Sequence, residues 1–198
     1  MMPELLPRSS PVQVALIGYG SAAKIFHAPL IAGVPGLQLA CICSTRADAV
    51  HADWPAVRVV ASPSEVFADA SIDLVVIATP NDSHHPLARA ALEAGKHVVV
   101  DKPFTMDLAE AEDLLALAKA KARVLSVFHN RRFDADFLTL QDVLSSGRLG
   151  RLGVLCVPLR PLPAAGAGPL ARPAWRGWSL ARPELASGGP GRAAAGCA

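Results

Sequence analysis

The sequence predicts an α/β domain with a doubly wound parallel sheet, and three observations carry that expectation. Six short apolar runs rich in valine and isoleucine recur between residues 12 and 128, helix-like segments separate them, and turn-forming residues mark the boundaries. Strands that are apolar on both faces suit a parallel sheet, because crossover helices cover it above and below. Alternation of strand and helix at this spacing gives the doubly wound arrangement.

The apolar runs are VQVALIG (12–18), LQLACIC (37–43), VRVV (57–60), DLVVIATP (73–80), HVVV (97–100) and RVLSVF (123–128). Helices are expected at Ala22–Ala32, Pro63–Ala68, His84–Ala94, Asp107–Lys121 and Asp134–Ser146. Gly95 and Gly147 each follow a helix as a C-terminal glycine. Asp107 with Glu110 three residues on resembles a capping box. Leu108, Ala111, Leu114, Leu115 and Ala118 are expected on one apolar helical face.

Composition narrows the class. With 198 residues, 52% hydrophobic and 18% charged, the chain reads as globular rather than disordered. No apolar run approaches the roughly 18–20 residues that cross a bilayer, so no membrane partner is expected. The start MMPELLPRSS lacks a basic segment followed by an apolar core, and the cytoplasm is the expected compartment. Four cysteines suggest no disulfide framework, and no Cys/His set has zinc spacing. Cys41 and Cys43, two apart in one strand, share a face and read as small core residues. His84 and His85 open a helix without an evident third ligand, so no metal is expected.

Charge divides the chain. Residues 1–150 hold 13 basic and 16 acidic side chains, whereas 151–198 hold six arginines and one acid, Glu184. Ala, Gly, Pro and Arg make up 32 of those last 48 residues. Such a segment suits neither helix nor central strand. It reads either as an irregular Pro/Gly-rich tail or as a GC-rich gene translated out of frame, since those four amino acids have codons beginning with two G/C bases. Its arginines lack aromatic interleaving beyond Trp175 and Trp178, so nucleic acid is not an expected partner.

The first functional motif is Gly18-Tyr19-Gly20-Ser21-Ala22-Ala23, between a strand and a helix. This is G-x-G-x-x-A, a dinucleotide fingerprint. Gly18 permits the tight turn, Gly20 lets the backbone approach a pyrophosphate, and Ala23 keeps helix and strand close. Free N–H groups at the helix start then attract the phosphates. An NAD site usually carries an acid at the end of the second strand; here Ser44, Thr45 and Arg46 stand there. A planar cation with two hydroxyls suits a 2′-phosphate, so NADP is expected in preference to NAD, with NAD possible; the alternative is an exposed arginine starting a short helix.

The second constellation collects at the carboxyl ends of the fourth and fifth strands, the edge at which α/β sheets bind ligands. Ala78, Thr79, Pro80 and Asn81 end one strand, and Asp101, Lys102 and Pro103 end the next. The blocks GYGSAAKIFHAPLI, TPNDSHHPLARAALEAGKHVVVDKP and FHNRRFDADF together resemble the glucose–fructose oxidoreductase/inositol dehydrogenase/MocA (Gfo/Idh/MocA) family over about residues 11–150. Asp101 stands where that family often has glutamate.

The resemblance implies a Rossmann domain and an NAD(P)-dependent oxidoreductase acting on a sugar, polyol or related carbonyl compound. It assigns Lys102 to the active site, touching substrate and nicotinamide, and Asn81 and His84 to cofactor contact. A lysine at a low-dielectric strand end is a candidate for proton transfer, and a protonated one donates to an oxygen as negative charge develops. The other reading of Lys102 is a structural ion pair with Asp101. His27 is either near the cofactor or a packed histidine, and Arg131 and Arg132 are either site or surface residues.

Family members continue into a second α/β domain that carries D-x-x-x-H and commonly forms a homo-oligomer interface. No D-x-x-x-H occurs in this chain, so that domain is expected to be truncated or missing. The expected organisation is a dinucleotide-binding domain at 1–128, the start of the substrate domain at 129–150 and the irregular tail at 151–198. An impaired oxidoreductase competes with a nucleotide-binding module without turnover.

Overall fold

The computed structural model describes residues 10–151, 153 and 154. Six strands form one parallel sheet: β1 Val12–Ile17, β2 Leu37–Cys43, β3 Arg58–Val60, β4 Leu74–Ile77, β5 His97–Asp101 and β6 Leu125–Phe128. Their spatial order is β3-β2-β1-β4-β5-β6. Strand order reverses between β1 and β4, and this switch point opens a crevice at the carboxyl edge. The architecture is a Rossmann-like α/β sheet.

Among the described residues five α-helices accompany it, α1 Ala28–Gly33, α2 Ala47–Asp53, α3 Pro63–Ala68, α4 His84–Glu93 and α5 Leu108–Ala120, and a further helix, α6 Ala135–Ser145, follows β6 in sequence. A π-helical turn, Ala23–His27, precedes α1. Period-two alternation sends Val14, Leu16, Ile42 and Val76 to one face of the sheet, against Ala23, Ala28, Ile31 and Val50. Ala15, Ile17, Val75, Ile77, Val98 and Val100 face the other way, against Val66, Leu92, Leu114 and Ala118. Leu16, Leu92 and Leu114 are fully buried, and truncating any one to alanine costs about 2–5 kcal/mol. Cys41 and Cys43 share the second face as free thiols, and burial raises both, Cys43 to about 11.

Local chemistry fixes the ends of these elements. At α4 the Lys96 N–H donates to Ala91 O at 2.9 Å and the Gly95 N–H to Leu92 O at 3.0 Å, a Schellman closure with Gly95 at φ +75°. Lys96 is buried, and its Nζ donates to Asp69 O at 2.6 Å and Ile72 O at 2.9 Å, tying the turn that feeds β4. The complete capping box is at α3: Ser62 Oγ accepts from the Ser64 N–H, and Glu65 Oε1 accepts from the Ser62 N–H at 3.0 Å.

At α5 the expected box is rearranged. Asp107 Oδ1 caps the Glu110 N–H at 2.9 Å, but Glu110 Oε2 reaches past Asp107 to the Met106 N–H at 3.0 Å. The buried stripe of α5 is also narrower than expected. Leu114 and Ala118 are buried, whereas Leu108 and Leu115 are exposed, because residues 114 and 115 lie about 100° apart on a helix and one sheet face covers a single stripe.

The chain divides into two compact units at Arg131/Arg132. In the second, α6 follows Asp134, Thr139 Oγ1 donates to Ala135 O, and Gly147 at φ +69° succeeds its last turn. Apart from residues 151, 153 and 154, the Pro/Gly/Ala/Arg-rich stretch lies outside the described residues. Among the described residues no helix is long and apolar enough to cross a membrane.

Candidate functional site

Parallel register brings the predicted residues to one edge. Ile17 pairs with Cys43 on one side and Ile77 on the other, and Ile77 pairs with Val100. Just beyond the strands, the Gly18 N–H donates to Cys43 O at 3.0 Å and the Ala78 N–H to Ile17 O at 2.9 Å. Ser44, Gly18, Ala78 and Asp101 thus follow one another across the mouth of the sheet.

The two fingerprint glycines answer to different constraints. Gly18 has φ +93°, and a Cβ there would lie 2.5 Å from Ala78 O and 3.0 Å from the Ala78 carbonyl carbon. The protein's own backbone therefore demands glycine. A Cβ at Gly20 would meet nothing within 4 Å. Packing does not require Gly20, and the bare main chain there is a cradle that a methyl group would partly fill. Ser21 is exposed, Ala22 half-buried, and Ala23 fully buried against the first sheet face.

Tyr19 turns inward. It is 6% exposed, and its hydroxyl donates to Asp53 Oδ2 at 2.8 Å, where Lys24 Nζ also lies at 2.8 Å. Burial, reinforced by Asp53, pushes the phenol up to about 12, and the bonds from Lys24 and Tyr19 hold the Asp53 carboxyl below its usual range. Only the main chain of Tyr19 serves the edge: its carbonyl accepts from Arg46 Nη2 at 2.6 Å. The Arg46 guanidinium is thereby fixed over the glycine loop at the end of β2. Ser44 Oγ accepts from the Arg46 N–H at 3.1 Å, and Thr45 is exposed beside it.

Across the switch point, Thr79 Oγ1 and Ser83 Oγ are 2.7 Å apart, and Ser83 Oγ donates to Pro80 O at 2.6 Å. These bonds close a 3-10 turn, Asn81–Ser83, that leaves Pro80 and Asn81 exposed. Asp101 is the last residue of β5 and pairs with Phe128. Its Oδ1 accepts from the main-chain N–H of Lys102 at 2.7 Å, and its Oδ2 lies 3.5 Å from Nε2 of His27. The carboxylate thus holds the backbone of Lys102 rather than its ammonium, so the structural ion pair considered from sequence is not formed. Lys102 and Pro103 are exposed, and the peptide bond between them is cis.

His27 is 3% exposed, packs on Phe128 with ring centroids 4.2 Å apart, and its Nε2 has no hydrogen-bond partner among the described residues. Burial lowers its proton affinity, with Asp101 opposing. The π-helical turn that carries it, closed by the Ala28 N–H on Ala23 O, lets His27 and Ala28 both be buried. Among the described residues no group of three or more His, Cys, Asp or Glu side chains could hold a metal.

This geometry agrees with comparison to known proteins. The model of an oxidoreductase family with an NAD-binding Rossmann fold, Gfo/Idh/MocA, matches residues 12–129. The chain belongs to the Gfo/Idh/MocA family. It is 62% identical over 144 residues to the oxidoreductase YdgJ of Escherichia coli, covering 73% of this chain and 42% of that one. It is 39% identical over 138 residues to scyllo-inositol 2-dehydrogenase (NADP(+)) IolW of Bacillus subtilis, covering 70% and 38%. An oxidoreductase structure from Yersinia pestis superposes with a TM-score of 0.71 at 57% identity, over 74% of this chain and 42% of that one. The chain therefore spans about two-fifths of the length of these Gfo/Idh/MocA relatives.

Sequence reasoning placed His84 at the cofactor through the family resemblance and missed the main-chain contacts it makes at this edge. His84 is 1% exposed with both ring nitrogens against main-chain carbonyls, Nδ1 to Pro103 O at 2.8 Å and Nε2 to Thr79 O at 3.0 Å, which leaves neither for a ligand. His85 instead pairs with Asp113 at 2.8 Å, together with Arg89, tying α4 to α5. No spacing rule marks these partners; the one signal was a histidine next to the strand-end loop.

Proposed function

We propose that this chain is the dinucleotide-binding part of a Gfo/Idh/MocA oxidoreductase that moves hydride between NADP, in preference to NAD, and a sugar, polyol or related carbonyl compound. The supporting observation is Arg46, held by the Tyr19 carbonyl over the glycine loop where NAD sites carry an acid. A planar cation at that corner favours a 2′-phosphate, which adds an opposite charge that an unmodified ribose lacks. The NADP dependence and inositol substrate in the name of the Bacillus subtilis relative support the same cofactor and a polyol-class substrate.

The bound dinucleotide supplies the hydride acceptor or donor. Gly18 shapes the loop, Gly20 lets the main chain come close, and the N–H groups of Ser21, Ala22 and Ala23 meet the pyrophosphate at a positive helix end. Ser44 and Thr45 assist Arg46. Ala78, Thr79, Pro80 and Asn81 frame the nicotinamide end with Asp101 and Pro103. Lys102 projects its ammonium from this frame, where it donates to the substrate oxygen as charge develops and exchanges a proton with it. His84, assigned to cofactor contact from the resemblance, acts here through the loops it joins.

In this reading residues 1–128 form the dinucleotide-binding domain and 129–150 begin the substrate domain. The protein works in the cytoplasm among like subunits, without nucleic acid or membrane as partner. The second reading is a nucleotide-binding module without turnover. Calorimetric titration with NADP+ and NAD+, followed by an assay against a panel of polyols and aldoses, separates them. NADP+ binding at least tenfold tighter than NAD+ with turnover of a polyol supports the first; binding without turnover supports the second; tighter NAD+ binding refutes the cofactor assignment.

A further inference from the structure

Asp53 is an acid at the wrong end of a helix. It is the last residue of α2, Ala47–Asp53, where the helix's own unsatisfied carbonyls already gather negative charge. Helices this short are marginal by themselves, so an ending that opposes the dipole calls for a gain elsewhere. The gain is a junction. Asp53 Oδ2 accepts from the Tyr19 hydroxyl at 2.8 Å and lies 2.8 Å from Lys24 Nζ on the π-helical turn. Lys24 is 55% exposed, so that ion pair contributes little. Tyr19 is buried, and a buried hydroxyl without its acceptor stays unsatisfied, which makes the Tyr19 bond the stronger link.

Tyr19 thereby grips α2 at both ends. Its hydroxyl binds Asp53 at the C-terminal end, and its carbonyl accepts at 2.6 Å from Nη2 of Arg46, the residue at the N-terminal boundary. Arg46 is exposed, and a long exposed side chain has much rotamer freedom to lose. The Tyr19 carbonyl takes one guanidinium N–H, and the planar fork keeps further donors for an anion. We infer that Asp53 is a positioning residue for cofactor selectivity: by anchoring the far end of α2 to Tyr19, it fixes the Arg46 end beside the glycine loop, where the guanidinium meets a 2′-phosphate. This rests on the reading of Arg46 as the group that holds the 2′-phosphate. Asp53 stands a helix length, about 10 Å, from Arg46 and acts through it.

Calorimetric titration of the full chain with NADP+ and NAD+ tests the inference. Asp53→Ala should lower the ratio of the two affinities about three- to tenfold, with the loss falling on NADP+. Tyr19→Phe deletes the other half of the same bond and should lower the ratio as far. Asp53→Asn keeps an acceptor for the hydroxyl, and its ratio should stay within about twofold of the unaltered chain. Beside Arg46→Ala, adding Asp53→Ala should weaken NADP+ less than about twofold further, because the residue it acts through is gone. Equal losses for NADP+ and NAD+ would make Asp53 a support of the glycine loop and overturn the inference. So would a full further loss beside Arg46→Ala, a ratio that neither Asp53→Ala nor Tyr19→Phe moves, or Asp53→Asn falling as far as Asp53→Ala. The reading of Arg46 fails by a different result: if Arg46→Ala alone leaves NADP+ binding intact, that reading falls and the inference falls with it.

Discussion

On the β1–β2 side of the crevice, position is set by the main chain and by one surface cation. Gly18 is wedged against Ala78, Gly20 is bare, and Arg46 leans on the Tyr19 carbonyl. On the β4–β5 side, position is set by buried side chains from remote parts of the sequence. His84 bridges two carbonyls, and Asp101, with His27 beside it, holds the Lys102 backbone. Under the proposed function the contrast follows from what each half would have to do. A pyrophosphate is recognised by main-chain N–H groups, so the first half needs little beyond a tight turn with no Cβ in the way. A proton-handling ammonium must be aimed, and aiming a flexible side chain means fixing the backbone on both sides of it.

Substitutions on the two sides should therefore fail differently. The largest effect belongs to Gly18→Ala, because both the positive φ and the 2.5 Å approach to Ala78 O oppose a Cβ. Strain and overpacking together should cost about 3 kcal/mol or more, a fall in Tm of roughly 10 °C. Thermal unfolding unchanged by this substitution would remove the wedge from the account.

Next comes Arg46→Ala, which should weaken NADP+ binding roughly 10- to 100-fold and leave NAD+ almost untouched, as expected for one charge-assisted contact. Equal weakening of both dinucleotides would show that Arg46 supports the loop rather than a 2′-phosphate. Gly20→Ala should leave stability within about 1 kcal/mol yet weaken both dinucleotides about tenfold, since its Cβ meets no protein atom. A large loss of Tm there would erase the distinction between the two glycines.

The smallest effect is on the β5 side and depends on pH. Burial lowers the proton affinity of His27 from an ordinary pKa near 6.5. The unfolded chain therefore takes up a proton first as the solution is acidified. The stability contributed by the neutral ring is complete above about pH 6.5 and is lost as pH falls through that value toward the lower folded one. The carboxyls of Asp53, Asp69 and Asp113 lie below their usual range, Asp69 at about 2, so their contributions persist until more acid conditions. Urea unfolding at pH 7.5 and 5.5 should show a smaller acid loss in His27→Phe than in the unaltered chain; equal losses would mean that His27 is not held neutral.

The same contrast explains what the sequence disclosed. The β1–β2 half was legible because glycine spacing, a strand before and a helix after are local facts, and Arg46 stands at a fixed place relative to β2. The six strands were legible because a parallel sheet writes itself as continuous apolar runs. Asp101 and Lys102 were legible as a strand end. Their supports were not: His84 lies 19 residues from Pro103 and His27 74 from Asp101, and nothing in periodicity pairs them. The π-helical turn at Ala23–His27 was equally hidden, since one residue's worth of extra turn barely disturbs a helical pattern. Leu108 and Leu115 misled because leucines at helical spacing resemble a buried stripe whether or not anything covers them.

The most direct test of the account is amide chemical-shift mapping of the full chain as NADP+ is added. The account predicts saturable changes at Gly18–Ala23, Ser44–Arg46, Ala78–Asn81 and around Lys102, with little change at Val12, Gly36 and His97 on the opposite edge of the sheet. A spectrum that does not respond, or one whose changes gather at that opposite edge, would contradict it.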